Sequence, residues 1–120
     1  MQWLRNAYQG NEEHVPDGLV LHPRGRLDLE SSGPLRQRLA HAFASGLLDL
    51  VIELDDVEAV DPAGMGVLSG AARHLQQQGG SLVLRDPQPD VASVLRVYGL
   101  GALVDPTPTQ RRTGPSRLVG

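Results

Sequence analysis

The chain has 120 residues, a net charge of −3 and no cysteine. That length sets one domain with one core, and the missing cysteines exclude a disulfide framework, thiolate chemistry and Cys-based metal sites. The modest, mixed charge points to no nucleic-acid footprint and no membrane-surface patch, and no apolar run approaches the roughly 18 residues of a membrane span.

Met1 to Arg5 lack the apolar core of a signal peptide, so a cytoplasmic domain with no membrane insertion is expected. Met1 to Tyr8 reads as a short edge strand anchored by Trp3. Gln9 to Gly18 is polar, with Pro16-Asp17-Gly18 as a turn. Leu19 to His22 reads as a strand that ends at Pro23, which cannot donate to a ladder, and Arg24 to Asp28 reads as a loop. A helix follows, capped by Ser31 or Ser32 with Pro34 in its first turn. Its apolar face is Leu35, Leu39, Ala42 and Phe43, and Gly46 ends it. Leu47 to Leu54 is a nearly continuous apolar run, the pattern of a strand covered on both faces or in the middle of a sheet. Val67, Leu68, Ala71, Ala72 and Leu75 line a second helix that stops at Gly79-Gly80. Ser81 to Arg85 is a strand, and Asp86 to Pro89 a stiff turn. A third helix presents Val91, Val94, Leu95 and Tyr98, and Ala102 to Val104 is a last short strand. Pro, Thr, Arg and Gly dominate from Asp105 onward, so residues 105–120 are expected to be a disordered tail. The organisation expected is thus an N-terminal edge strand and loop over 1–18, a domain over 19–104 and that tail. Strands alternating with helices imply right-handed crossovers and a largely parallel sheet. Two initial strands without a helix between them make it mixed. The fold class is α/β, a small mixed β-sheet flanked by helices.

The stretch from Val57 to Leu68 organises the rest. Asp61 stands at a helix N-cap, and Pro62 at the first helical position, where its missing N–H costs nothing. Gly64 and Gly66 each cost about 1 kcal/mol against Ala inside a helix, so something is expected to approach this backbone closely. The chain has no Gly-x-x-x-x-Gly-Lys pattern, and all of its cations are arginine, which disfavours a nucleotide loop. A nucleophile elbow would read Gly-x-Ser-x-Gly, whereas the small residue here is Ala63. His14, His22, His41 and His74 show no ligand or triad spacing and read as surface or strand-edge residues. No enzyme, metal or cofactor is indicated. Asp28 and Asp61 each precede a helix, as plain cap and turn residues or as two carboxylates converging on one surface. Asp55, Asp56 and Glu58 add negative charge on the approach.

Gly25-x-Leu27-Asp28, the apolar strand, Val60-Asp61-Pro62-Ala63-Gly64-Met65-Gly66-Val67-Leu68, Gly79-Gly80-x-Leu82-x-Leu84 and Pro87-x-Pro89-x-Val91-x-x-Val94-Leu95 with Gly99-Leu100 together resemble a STAS domain. In pattern the resemblance is to the bacterial anti-sigma factor antagonists, and it runs from Leu19 to Val104. It implies a protein-binding module whose partner is an anti-sigma factor or a related histidine-kinase-like ATPase domain. Binding there would free a sigma factor and raise transcription indirectly.

Carried over by motif, the partner-binding residues are Asp28, Asp61, Ala63, Gly64, Met65 and Gly66, with Met65 an exposed apolar anchor. In the family the partner kinase phosphorylates a Ser or Thr immediately before the first Gly of the helix start, and this drives the complex apart. Ala63 holds that position, so the site cannot accept the −1.5 to −2 charges or so of a phosphoryl group. Two outcomes are implied, an antagonist locked on or a scaffold subunit of a stress-signalling complex or a lipid-transporter assembly. Ser31, Ser32, Ser69 and Ser93 are the alternative hydroxyls. Oligomeric state is left open.

Overall fold

The computed structural model describes residues 10–16 and 18–108. Polar Gly10–Val15 forms β1, paired antiparallel with β2 (Gly18–Pro23), so a stretch read as a polar loop supplies an edge strand among the described residues. The strand expected over Met1 to Tyr8, and the tail beyond residue 108, lie outside the described residues. After β2, Gly25–Leu27 forms β3 and Leu29–Ala44 forms α1. Asp49–Glu53 is β4, Val57–Val60 is β5 and Pro62–Gln77 is α2. Ser81–Arg85 is β6, Pro89–Val97 is α3, and a 3₁₀ turn at Gly101–Leu103 leads into β7 (Val104–Asp105). Asp105 is thus a strand residue and not the start of a tail.

One five-stranded sheet runs β1-β2-β4-β6-β7, antiparallel at its first pair and parallel thereafter. The expected mixed α/β sheet is what the chain builds. Its register places Leu19, Leu50 and Leu82 side by side, and Leu21, Ile52 and Leu84 beside them. All six are buried in an aliphatic core. Because side chains alternate along a strand, Val20, Val51 and Val83 form the matching row on the opposite face, where they are half-buried. β4 therefore lies in the middle of the sheet, one of the two settings its apolar run suggested, with one face in the core and the other half-buried.

Leu35, Leu39 and Ala42 of α1 and Met65, Leu68, Ala71 and Leu75 of α2 complete the core. The two helices also meet where the Phe43 ring stacks on His74 at 4.1 Å between centroids. Val91 and Leu95 seat α3, while Tyr98 at its end stays exposed.

Candidate docking surface

A second, two-stranded sheet positions the region that the sequence singles out. β3 and β5 pair in parallel, with Leu27 opposite Val60, and each strand ends in an aspartate that starts a helix. The segment read as a loop from Arg24 to Asp28 is therefore mostly strand. The backbone N–H of Asp61 donates to the Leu27 carbonyl at 3.0 Å, locking the two strand ends together. As a result the N-termini of α1 and α2 open side by side.

Asp28, and neither Ser31 nor Ser32, caps α1. One carboxylate oxygen accepts from the N–H groups of Glu30 and Ser31 at 3.1 Å. Ser31 closes a capping box, its hydroxyl accepting from the Asp28 N–H and donating to the Arg26 carbonyl. Helix α1 thus begins at Leu29, and Pro34 falls inside it, where the ring removes one ladder hydrogen bond. Ser32 is buried. The start of α2 follows the expectation: Asp61 caps through the Gly64 N–H at 3.0 Å, with Pro62 at the first helical position.

The six residues expected to bind a partner divide into the half-buried caps Asp28 and Asp61, an outer pair, Ala63 and Gly66, and a buried pair, Gly64 and Met65. Pro62 and Gly66 are exposed and Ala63 is half-buried at the rim, so the outer side of the α2 start is nearly bare of side chains. Gly64 and Met65 lie beneath it. Met65 is only 1% exposed and belongs to the core. The expected surface anchor is a correction: position 65 falls on the same inward stripe as Leu68 and Ala72, and Met65→Asp would bury a carboxylate and test folding, not docking. Gly64 has an internal reason to be glycine, since an added Cβ would stand 2.9 Å from the carbonyl carbon and from the Cβ of Leu27. At Gly66 and at Gly70, one turn on, an added Cβ meets nothing within 4 Å among the described residues. Leu29, the first residue of α1, is 78% exposed on the same end of the molecule. Leu29 carries no signal in the sequence, where the helix cap is expected two or three residues later, at Ser31 or Ser32.

The approach loop also departs from expectation. His22 is 8% exposed and not a surface histidine. Its Nε2 lies 2.9 Å from Asp55 Oδ1 and 3.2 Å from Asp56 Oδ2. Ser93, at the far helix α3, bonds to the Pro89 carbonyl and to Arg96.

Residues 11–105 match the family model described as Mlab, STAS domain. The chain belongs to the STAS domain family. This STAS domain is 33% identical over 81 residues to the anti-sigma-B factor antagonist of Bacillus subtilis (strain 168), covering 68% of its own length and 73% of that relative. It is 28% identical over 89 residues to the anti-sigma F factor antagonist of Paenibacillus polymyxa, covering 73% and 76%. Among solved structures, the unphosphorylated form of the anti-sigma factor antagonist SpoIIAA superposes with a TM-score of 0.73 at 24% identity, over 80% of this chain and 85% of that one. A putative anti-sigma factor antagonist of Thermotoga maritima gives 0.74 at 24% identity, over 80% and 83%. These likenesses establish the mixed-sheet fold with its helices. No helix among the described residues is long and apolar enough to cross a membrane.

Proposed function

We propose that this STAS domain is an anti-sigma factor antagonist that docks through the start of α2 and lacks the usual off-switch. The observation that carries the reading is the bare stripe Pro62, Gly66 and Gly70, with Ala63 beside it. Residues four apart share a helix face, and two interior glycines there cost about 1 kcal/mol each against Ala. Gly64 is needed by the fold, whereas the fold gains no contact in return at Gly66 or Gly70. A stripe with nothing larger than one proline ring lets a partner's backbone come close. Leu29 and the two capped helix starts supply apolar area and ordered N–H groups next to it. The relatives named as antagonists support the partner class, an anti-sigma factor. A histidine-kinase-like ATPase domain is the form of that partner that would phosphorylate a hydroxyl here, and Ala63 offers only a methyl group. The domain itself performs no chemistry and works in the cytoplasm.

A second reading is favoured by two observations. The matching family model is described as Mlab, and α3 ends in an exposed apolar pair, Val97 at 82% and Tyr98 at 47%. On this reading the domain is a non-switching subunit of a stress-signalling or lipid-transporter assembly.

One capture experiment tests both. Wild type, Gly66→Phe and Ala63→Ser are immobilised and exposed to host lysate with and without ATP, and bound proteins are identified by mass spectrometry. Wild type is expected to retain an anti-sigma factor in both conditions, and Gly66→Phe to lose it while keeping its circular dichroism. Ala63→Ser should retain it without ATP and release it with ATP. Undiminished capture by Gly66→Phe removes this surface from the reading, and capture of transporter or multi-subunit components replaces it with the second.

A further inference from the structure

We propose that His22, Asp55 and Asp56 form a binding site for one divalent cation of the zinc class, independent of the docking surface. The three ligand atoms lie within 4.8 Å of one another, and all three side chains are largely withdrawn from solvent, at 10%, 16% and 33% exposure. The decisive feature is that two carboxylates converge on a single ring nitrogen, Nε2. A cation seated among the three groups would accept a lone pair from each of them at once. Four-coordinate zinc with bonds of 2.0–2.1 Å sets its donors about 3.3 Å apart. The two nitrogen–oxygen separations, 2.9 and 3.2 Å, reach that with shifts of a few tenths of an ångström, and the two carboxylate oxygens lie within 4.8 Å of each other. One imidazole with two carboxylates suits zinc and its transition-metal neighbours, while calcium and magnesium favour oxygen alone.

The surroundings point the same way. Glu53 Oε1 lies 4.0 Å from the other ring nitrogen, Nδ1, too far for a hydrogen bond but on the side from which a carboxylate orients a metal-bound imidazole. Arg85 Nη1 in turn holds Glu53 at 3.4 Å. The loop carrying the aspartates is fixed by its backbone: Gly25 N–H donates to the Asp56 carbonyl at 3.0 Å, and Gln88 Nε2 to the Asp55 carbonyl at 3.1 Å. Leu54 N–H donates to the Arg85 carbonyl at 2.8 Å. The ligands are therefore held in place by β3, β6 and the residue before α3, not by a loop that must be ordered on binding. A bound ion would tie the end of β2 to the turn that leads into β5.

The test is calorimetric titration of zinc chloride into the chelator-stripped full chain, with magnesium and calcium chloride alongside, and thermal melting with and without zinc. One zinc per chain is expected at micromolar affinity, no heat from magnesium or calcium, and a melting midpoint raised by several degrees at saturation. Asp56→Asn, the most exposed ligand, should fold normally, bind at least tenfold more weakly and lose that shift; His22→Gln should do the same. No zinc binding by wild type overturns the site and leaves an imidazole–carboxylate ion pair. Equal binding by Asp56→Asn and wild type means an adventitious ion only, held by other histidines, and overturns it as well.

Discussion

Gly64 and Gly66 stand two positions apart in one helical turn and have opposite physical roles. At Gly64 the helix rests directly on the Leu27 peptide, and a methyl group there would have to push backbone apart. Overpacking of this kind costs about 1–3 kcal/mol. At Gly66 the space is open, so alanine adds helix propensity and removes unfolded-state freedom, a gain of about 0.5–1 kcal/mol. Urea unfolding should show the midpoint of Gly64→Ala falling and that of Gly66→Ala rising, with slopes unchanged; a rise for both would mean the Leu27 contact yields freely. The sequence showed that both glycines were costly, but not which one the fold itself required, because that depends on how closely β3 passes the helix. Met65 was misplaced for a related reason. Proximity to an exposed helix start says little about which way one residue of that turn faces. His22 was out of reach of spacing rules altogether, since β2 and β4 must pair before it meets Asp55 and Asp56.

At the scale of elements, β3-Asp28-α1 and β5-Asp61-α2 repeat one device: a short strand ending in an aspartate that opens a helix. Parallel pairing then sets the two helix starts together, which is how a single partner could contact both. The second copy was legible, because Asp61-Pro62 is a strong start signal followed by a clear apolar period. The first was not, since Leu29 and Pro34 blur the pattern and the capping box runs Asp-x-x-Ser instead of the usual Ser/Thr-x-x-Glu. Each carboxylate satisfies N–H groups that would otherwise lack partners, and losing such a cap costs about 1 kcal/mol. Asp28 also positions Ser31, which binds the Arg26 carbonyl, so Asp28→Ala is expected to cost about 1–2 kcal/mol. Asp28→Asn should recover most of that. If Asp28→Ala left the unfolding midpoint unchanged while weakening partner capture, Asp28 would be a contact residue and not a cap.

Across the whole molecule, the mixed sheet was readable from alternating strands and helices, and the aliphatic core from the Leu, Val and Ala residues of the apolar faces and runs. The polar edge strand was not, because Gly10–Val15 has little apolar alternation and is held by its partner β2 and by charge. Arg38 of α1 reaches across to Glu12 of β1 with two hydrogen bonds, at 2.6 and 2.8 Å, joining the sheet edge to the first helix. Those bonds hold the Glu12 carboxyl below its ordinary value, against a smaller opposing effect of burial. A carboxylate whose pKa is lowered by folding contributes stability above its unfolded value, about 4.3–4.5. That contribution is lost as pH falls through the lower folded value. Both side chains are partly exposed, so solvent screening limits the pair to about 0.5 kcal/mol. Glu12→Gln should therefore unfold slightly more easily than wild type at pH 7, and the difference should shrink as pH falls below that unfolded value and wild-type Glu12 takes up its proton. A difference that stays constant down to low pH would place the effect in packing at the sheet edge and not in the ion pair.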